Sequence, residues 1–265
     1  FMATAPLASV VEASSTAYPQ CSDYRRRVVM VKTGENETFA IDTFTVKGGG
    51  EHRYRVYSEL ASSDATDGSL HFDGVEIAAE APLPEVGASL AKVDIYGLRD
   101  VRAGKALADT WQATWQDKTG GYRLWMASPT DQVEASNGPG QRTQQEKGRR
   151  VRYVDGIRSG EDLESIFVAV HEPDGGGENG AIRSVERLDV AAAPKAVVLK
   201  IEHRNGVYIA LNNFESFQEV AGIGFQGTFA LVYRPANGRA QFLAVGASQL
   251  SIDGTVCVDG PPRWE

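Results

Sequence analysis

Cysteine is scarce in this chain, and its placement argues against one common kind of metal site. The 265 residues include only Cys21 and Cys257, near opposite ends, with no CxxC pair. Cysteine-based zinc sites place thiolates close together in sequence, so we expect none here. The two thiols either form one long-range disulfide or stay unpaired, because the sequence gives no distance between them.

Long apolar runs and excess positive charge are also missing. No stretch of about 18 apolar residues occurs, so the sequence predicts no membrane span. The net charge is −8 at pH 7, and binding to nucleic acid is not expected because it depends on a basic surface. The same charge disfavours a groove for a polyanion, although a local basic patch can override it.

Several familiar motifs are absent. The chain has no GxSxG, HExxH or P-loop, and its four histidines are scattered. Scattered histidines make a metal site less favoured without excluding one, since distant residues can converge. Gly222–Gly227 has GxGxxG spacing, but it runs into the strand-like segment Thr228–Tyr233. A dinucleotide site needs that motif to open a helix, so we reject it.

The chain does contain many short apolar or alternating runs, separated by glycine, proline, asparagine and aspartate. No amphipathic helical pattern stands beside them. This pattern predicts an all-β fold of antiparallel sheets, a sandwich rather than a closed barrel. The predicted strands are Arg27–Val31, Phe39–Val46, Tyr54–Tyr57, Lys92–Ile95, Leu107–Trp115, Tyr122–Met126, Val151–Val154, Ser165–Glu172, Ile182–Leu188, Ala196–Glu202, Val207–Leu211, Gly227–Tyr233, Gln241–Val245 and Val256–Val258.

Turn and break signals organise these strands. The strongest hairpin signals are Asn205-Gly206 and Asn237-Gly238, followed by Asp253-Gly254. A break at Ala191–Pro194 predicts a β-sandwich over residues 1–190 and a smaller β subdomain over residues 191–265. The N-terminal residues do not form a convincing signal peptide, and we expect the chain to be a piece of a longer protein.

Two polar stretches predict long loops, at residues 137–150 and 174–180. The second is expected to interrupt a strand pair formed by Ser165–Glu172 and Ile182–Leu188. Long loops on a rigid scaffold often carry binding residues. The alternative is that both are solvated connectors.

One carboxylate occupies an unusual place. In Phe39–Val46, the strand period of two puts Asp42 on the same face as Phe44 and Val46. A buried carboxylate needs a partner, because an unpaired buried charge is costly. The nearby candidates are the arginines at 25–27 and His52. The sequence therefore predicts a polar site inside a β-protein; alternatively, Asp42 only pairs with an arginine across the hairpin.

Three segments share a pattern with one known family. They are Asp42-x-Phe44-x-Val46-x-Gly48-Gly49-x-x-His52 after an arginine-led strand, Leu163–Pro173 followed by Ile182–Leu188, and more weakly Trp111–Trp115 followed by Leu124–Met126. These segments resemble the C-terminal part of the heparinase II/III-like polysaccharide lyases. The resemblance covers roughly residues 18–190, and none of its segments is a catalytic motif.

The resemblance implies the C-terminal β-sandwich part of a lyase whose N-terminal part is an α/α toroid. Such enzymes cleave uronate-containing polysaccharides by β-elimination. Their catalytic tyrosine and histidine, and their ligands for a structural divalent metal, come earlier in the polypeptide. The implied partners are an acidic polysaccharide and the upstream toroid, with no cofactor in this chain, and the implied location is secreted or periplasmic. A second histidine of the family is replaced here by Tyr57-Ser58, which puts any role that needs two histidines in doubt.

The resemblance also suggests binding residues. Arg25, Arg26, Asp42 and His52 would line one edge of a saccharide cleft, where arginine neutralises a uronate carboxylate. Trp111 and Trp115 share one strand face and would stack on sugar rings, although they can equally fill the core. His171 is expected to be a satisfied structural residue. The alternative function is a non-catalytic carbohydrate-binding or structural β-sandwich module.

Overall fold

In a computed structural model of the chain, every described regular element is a β-strand. The described residues are 1–64, 68–79, 97–140, 148–173 and 180–263. The strands are β1 (Met2–Thr4), β2 (Ala8–Ser14), β3 (Asp23–Lys32), β4 (Thr38–Lys47), β5 (Glu51–Ser62), β6 (Ser69–Asp73), β7 (Val75–Ile77), β8 (Arg99–Ala106), β9 (Thr110–Asp117), β10 (Gly120–Ala127), β11 (Gln132–Pro139), β12 (Arg150–Ser159), β13 (Glu164–Pro173), β14 (Ile182–Leu188), β15 (Val197–His203), β16 (Gly206–Val220), β17 (Ile223–Pro235), β18 (Gln241–Ile252) and β19 (Thr255–Arg263). The all-β prediction is confirmed.

The strands form three antiparallel sheets. An eight-stranded sheet has the order β1-β2-β3-β4-β13-β10-β9-β6. A five-stranded sheet has the order β5-β12-β11-β8-β7, and a six-stranded sheet runs β14-β15-β16-β17-β18-β19. The six-stranded sheet is a meander of consecutive strands, whereas each of the other two also pairs strands that are far apart in sequence, such as β4 with β13 and β5 with β12.

The three predicted hairpins are confirmed. Asn205-Gly206 lies at the turn between β15 and β16, Asn237-Gly238 between β17 and β18, and Asp253-Gly254 between β18 and β19. Glycine is required at position 206, where φ is 144°. A Cβ added there would lie 2.3 Å from the carbonyl oxygen of Arg234.

Two predictions about the loops need correction. Asn137–Pro139 belong to β11, so the polar stretch at residues 137–150 begins as a strand. Ser165–Glu172 and Ile182–Leu188 are strands but do not pair: β13 pairs with β10, and β14 pairs with β15. Periodicity identifies a strand without naming its partner, which is why both errors arose. The predicted strand at 92–95 and the loop residues 141–147 and 174–179 lie outside the described residues.

The chain consists of two compact units whose limits differ from the predicted boundary at residue 190. Unit 1 contains residues 1–13, 27–41 and 181–265, and unit 2 contains residues 14–26 and 42–180. Strands β3 and β4 each contribute residues to both units. A composition break marks a place along the chain, but it cannot show which distant strands pack together.

Unit 2 is a sandwich with its core between two sheets. The eight-stranded sheet contributes large side chains including Phe44, Trp111 and Phe167, and the five-stranded sheet contributes Tyr54 and Val154. Packed sheets of this kind enclose a core about 10 Å thick, filled by alternate residues of each strand. Polar side chains at the ends of these alternating rows form the candidate site.

Unit 1 has a separate core on the six-stranded sheet, including Val198, Leu211 and Phe225. Arg27 belongs to this unit and is only 3% exposed. Its guanidinium donates to Asn212 Oδ1 at 2.8 Å and pairs with the carboxylate of Glu12. This arginine therefore has a structural role in unit 1.

Candidate functional site

The candidate site lies where the core-facing rows of unit 2 end in polar side chains. Alternate residues of a strand face the same side, and in three strands the core-facing apolar residues are followed at one end by a polar residue on that same side. The polar residues are Asp42 two positions before core Phe44, Tyr122 two before Leu124, and His171 two after Ala169. Tyr54 joins them from β5 of the facing sheet. We call Arg26, Asp42, Tyr54, His171 and Tyr122 the Asp42 chain.

Asp42 is the centre of the Asp42 chain. It is 2% exposed, and both of its oxygens accept from Arg26 Nε, at 3.0 and 2.9 Å. Arg26 Nη2 donates to the same carboxylate, and the Tyr54 hydroxyl donates to Oδ2 at 2.7 Å. The predicted burial of Asp42, and its pairing with an arginine of the preceding strand, are confirmed.

His171 extends the chain from Tyr54 to Tyr122. Because the Tyr54 hydroxyl gives its proton to Asp42, it accepts from His171 Nε2, which lies 2.8 Å away. A neutral imidazole with a proton on Nε2 accepts at Nδ1, and the Tyr122 hydroxyl is its donor. One set of proton positions, assigned from these contacts, therefore gives every hydrogen bond of the Asp42 chain one donor and one acceptor.

The electrostatics agree with this assignment. Burial alone would raise the pKa of Asp42, but His171, Arg26 and Tyr54 hold that pKa below its usual range. Burial, followed by the charge of Asp42, raises the pKa of both Tyr54 and Tyr122 above the usual value for tyrosine. At neutral pH the carboxylate is therefore ionised, and both phenols keep their protons and donate.

The Asp42 chain reaches the surface at both ends. Arg26 has a side chain that is 52% exposed. At the other end, Tyr122 lines an open depression of about 550 Å³ together with Tyr57, Ser58 and Glu59. We call this feature the depression. In the depression, the Tyr122 hydroxyl, which is oriented by His171, lies beside space large enough for a ligand.

An exposed aromatic ring borders the depression. Tyr57 is 48% exposed, and its ring centroid lies 4.8 Å from that of Tyr153 on the adjacent strand β12. Apolar ring faces at a wet surface are suited to contact with sugars, which have both apolar and polar faces. The depression therefore combines a phenol oxygen that can accept a hydrogen bond with an accessible aromatic ring.

His52 does not pair with Asp42, which corrects the sequence prediction. It is 5% exposed, with Nε2 2.7 Å from the Gly48 carbonyl oxygen and Nδ1 2.8 Å from Ser165 Oγ. The chain crosses from one sheet to the other after β4, so β4 and β5 are not paired strands. The histidine beside Asp42 is His171, whose Nε2 is 3.6 Å from Oδ2.

Trp111 and Trp115 are core residues, 1% and 0% exposed. Their indole nitrogens donate to Thr130 Oγ1 at 3.1 Å and to the Arg152 carbonyl at 2.9 Å. The predicted common face is confirmed, but neither ring has a face open to a sugar in this structure. The core role, which the sequence left as the alternative, is the one the structure supports.

Arg25 lies at the surface and pairs with Asp23 at 2.9 Å. Sequence reasoning missed Tyr54 and Tyr122 entirely and treated His171 as an isolated structural residue. One feature of the sequence could have indicated these residues: each is the polar residue at the end of a row of alternate, core-facing apolar residues. The partners themselves come from three other strands, so the sequence could not assign them.

Within the described ranges, no group of three or more His, Cys, Asp or Glu side chains could hold a metal ion. The structural divalent metal implied by the family resemblance therefore has no ligand set among these residues. In the same part of the chain, no helix is long and apolar enough to cross a membrane. Cys21 and Cys257 are both free thiols.

Comparison with known proteins does not identify a family for this chain. No family model matches the chain, and no curated protein matches it. Among solved structures, the chain is similar to a galactose mutarotase related enzyme from Lactobacillus acidophilus, with 8% identity and a TM-score of 0.31. That match covers 64% of this chain and 69% of the other.

Proposed function

We propose that this chain is the C-terminal β part of a heparinase II/III-like polysaccharide lyase, and that the depression forms one wall of a cleft for a uronate-containing polysaccharide. The observation that supports the proposal is the Asp42 chain, which ends in a histidine-oriented Tyr122 hydroxyl at the depression. The motif segments that begin at Asp42, Trp111 and Leu163 supply the resemblance to the lyase family.

The chemistry of β-elimination defines what such a wall has to do. The reaction needs a neutralised carboxylate, a base for the proton alpha to it, and an acid for the leaving oxygen. The family resemblance assigns the catalytic tyrosine and histidine to an upstream segment. The Tyr122 oxygen, whose proton is given to His171, then accepts a hydrogen bond from a sugar hydroxyl, and His171 fixes the direction of the phenol.

A lyase assay tests this proposal. The absorbance of the new C4–C5 double bond is followed with a panel of uronate polysaccharides, for this chain alone and for a longer chain that carries an upstream helical segment. We expect little turnover by this chain alone and clear turnover by the longer one. Tyr122→Phe in the longer chain should raise KM, because the phenol oxygen no longer binds the saccharide, and should lower stability by about 1 kcal/mol, because His171 Nδ1 loses its donor.

The matched control is Tyr233→Phe, which removes a phenol that donates to the Asn205 carbonyl in unit 1. Turnover by this chain alone, abolished by Tyr122→Phe, would contradict the supporting role and place the active centre here. No turnover by either chain would refute the lyase proposal.

The second candidate is a non-catalytic carbohydrate-binding module, favoured by the exposed Tyr57 ring beside the depression. This alternative predicts saccharide binding without turnover in both chains. Tyr57→Ala should then weaken binding several-fold, since the accessible ring face is lost. Equal binding by the wild type and Tyr57→Ala would exclude the module as described.

A further inference from the structure

The two sides of the Tyr57 ring have different surroundings. On one side, Tyr57 is the register partner of Tyr153 on β12. The ring centroids are 4.8 Å apart and the planes are tilted by 35°, so the rings overlap in part and Tyr153 lies against one face of Tyr57. On the other side, β5 is an edge strand of the five-stranded sheet, and Tyr57 lines the depression there. Because Tyr57 remains 48% exposed, the face turned away from Tyr153 is accessible to a ligand.

Three contacts hold the Tyr153 ring in place behind Tyr57. The Tyr153 hydroxyl donates to the Pro139 carbonyl at 2.8 Å. The ring lies over the backbone of Gly138, where an added Cβ would come within 2.5 Å of the ring carbon Cε2. The guanidinium carbon of Arg55 lies 5.9 Å from the ring centroid, within the range of a cation–π contact. The Tyr153 ring is therefore fixed at its hydroxyl end and along its edge, and it supports Tyr57 from one side.

The buried carboxylate of Asp155 in turn fixes Arg55. Asp155 is 1% exposed, and it accepts from Arg55 Nε at 2.7 Å and from Arg55 Nη2 at 2.6 Å. Arg53 donates to the same carboxylate at 3.3 Å. A bidentate pair of this kind fixes the orientation of the guanidinium group. Asp155, Arg55, Tyr153 and Tyr57 thus form one series of contacts that ends at the depression, and we call it the Tyr57 stack.

The charges around the depression favour a neutral ligand. Among the described residues that line it, Glu59 carries a carboxylate and none carries a positive charge. Arg149 pairs with Glu59 at 2.7 Å, and Arg53 and Arg55 are themselves paired with carboxylates. An anionic group placed against Tyr57 would therefore lie beside a carboxylate, with no excess of positive charge from these arginines to bind it.

We propose that the depression is a subsite for a neutral pyranose ring that stacks on Tyr57, and that Tyr153 is the positioning residue for the Tyr57 ring. This inference rests on the proposed function for saccharides as the class of ligand. The C–H face of a pyranose is apolar and fits an aromatic ring face, while its hydroxyl groups stay at the polar rim. The Tyr122 oxygen accepts a hydrogen bond from one of these hydroxyls.

The Tyr57 stack lowers the cost of binding. A ring that is already held in its binding orientation loses less conformational freedom when the ligand arrives. In a uronate-containing polysaccharide, the sugar on Tyr57 is then an uncharged neighbour of the uronate, and the uronate carboxylate lies outside the depression. The subsite thus selects for a polymer that carries uncharged sugars as well as uronates.

Binding measured by calorimetry on the full chain tests the subsite. The probes are neutral tetrasaccharides of glucose, galactose, mannose and N-acetylglucosamine, with a galacturonate tetrasaccharide as the acidic counterpart. Tyr57→Ala removes the stacking ring. Tyr153→Leu removes the ring behind it, whereas Tyr153→Phe keeps that ring and loses only the hydroxyl. Tyr233→Leu is the matched control, since Tyr233 also donates to a backbone carbonyl at 2.8 Å and stacks on a tyrosine, but in unit 1.

We expect at least one neutral tetrasaccharide to bind more tightly than the galacturonate probe. Tyr57→Ala should weaken its binding about five- to tenfold, because the stacking face is lost. Tyr153→Leu should weaken it about threefold or more, because Tyr57 then has to be ordered on binding. Tyr153→Phe and Tyr233→Leu should have little effect. Thermal unfolding of each variant checks that the fold is retained.

A double variant separates positioning from a general structural role. If Tyr153 acts through Tyr57, Tyr153→Leu should cause no further loss of affinity in the Tyr57→Ala protein. A purely structural role for Tyr153 would instead lower the affinity equally in both backgrounds, and that result would contradict the positioning role.

Three outcomes would overturn the subsite: binding of none of the neutral probes, tighter binding of the galacturonate probe, or equal effects of Tyr153→Leu and Tyr233→Leu. Failure of the proposed function has a different signature. Binding of a neutral saccharide that depends on Tyr57 and Tyr153, without turnover in the longer chain, would support the subsite and refute the lyase. Turnover with a KM unaffected by Tyr153→Leu would support the lyase and refute the subsite.

Discussion

Replacing Asp42 with alanine removes the acceptor on which both Arg26 and Tyr54 depend. Three guanidinium contacts and one phenol hydrogen bond end on this carboxylate, which is 2% exposed. The substitution leaves the buried Tyr54 hydroxyl without its acceptor and the guanidinium of Arg26 without its carboxylate partner. Both effects destabilise the folded state.

The size of the loss follows from the exposure of each partner. Breaking a fully buried ion pair costs about 3–5 kcal/mol, but the Arg26 side chain is 52% exposed and regains water, which reduces that cost. The Tyr54 hydroxyl stays buried, and leaving it unsatisfied costs about 1–3 kcal/mol. We therefore expect Asp42→Ala to lower the free energy of unfolding of unit 2 by about 2–4 kcal/mol.

Urea unfolding at pH 7, followed by tryptophan fluorescence, measures this loss. Trp111, Trp115 and Trp125 all lie in unit 2, so three of the four tryptophans report on the unit that carries the substitution. Asp23→Ala is the control, because Asp23 pairs with Arg25 at the surface and its loss should cost about 0–1 kcal/mol. Equal losses for the two variants would refute the view that the Asp42 chain is a buried, satisfied network.

Three further predictions concern pH, a buried arginine and a turn. The pKa of Asp42 is lower in the folded state, so its stabilisation is present above the unfolded pKa of about 3.9 and is lost as pH falls through the folded pKa. The difference in unfolding free energy between the wild type and Asp42→Asn, measured by urea titration, should therefore become smaller in acid. A difference that stays constant with pH would contradict this. Arg27→Ala should destabilise unit 1 by about 3–5 kcal/mol, because it leaves Glu12 without its buried partner, whereas Arg25→Ala should cost under about 1 kcal/mol in the same denaturation assay. Gly206→Ala should lower the thermal midpoint more than Gly254→Ala, since both have positive φ but only the first adds a close contact with Arg234, and equal shifts would argue against that contact.

Much of the fold could be predicted from local pattern. The segment Ile182–Leu188 is a strand with the predicted bounds, and Asn205-Gly206 lies at the predicted hairpin turn. Period-two alternation also predicted that Asp42 is buried. The edge strands β6 and β7, and β8 beside β7, were missed, because their sequences are short, polar or contain glycine and carry little alternation.

The candidate site was predicted only in part. Arg26 and Asp42 lie on neighbouring strands, so their pairing could be inferred from the hairpin between them. His171 and Tyr122 are 129 and 80 residues beyond Asp42 in the numbering, and no local pattern links them to it. The error at His52 has the same origin, since the chain changes sheets between Asp42 and His52.

The sequence by itself determined the class of the fold, three hairpin turns of the six-stranded sheet and the faces on which Asp42, Trp111 and Trp115 lie. These properties depend on alternation and turn chemistry within a few residues. The tertiary structure alone decided which strands are neighbours, that the tryptophans fill the core, and that two tyrosines and His171 meet Asp42. Strand partners are selected by hydrogen bonds and apolar packing between distant segments, and each local pattern is compatible with many such pairings.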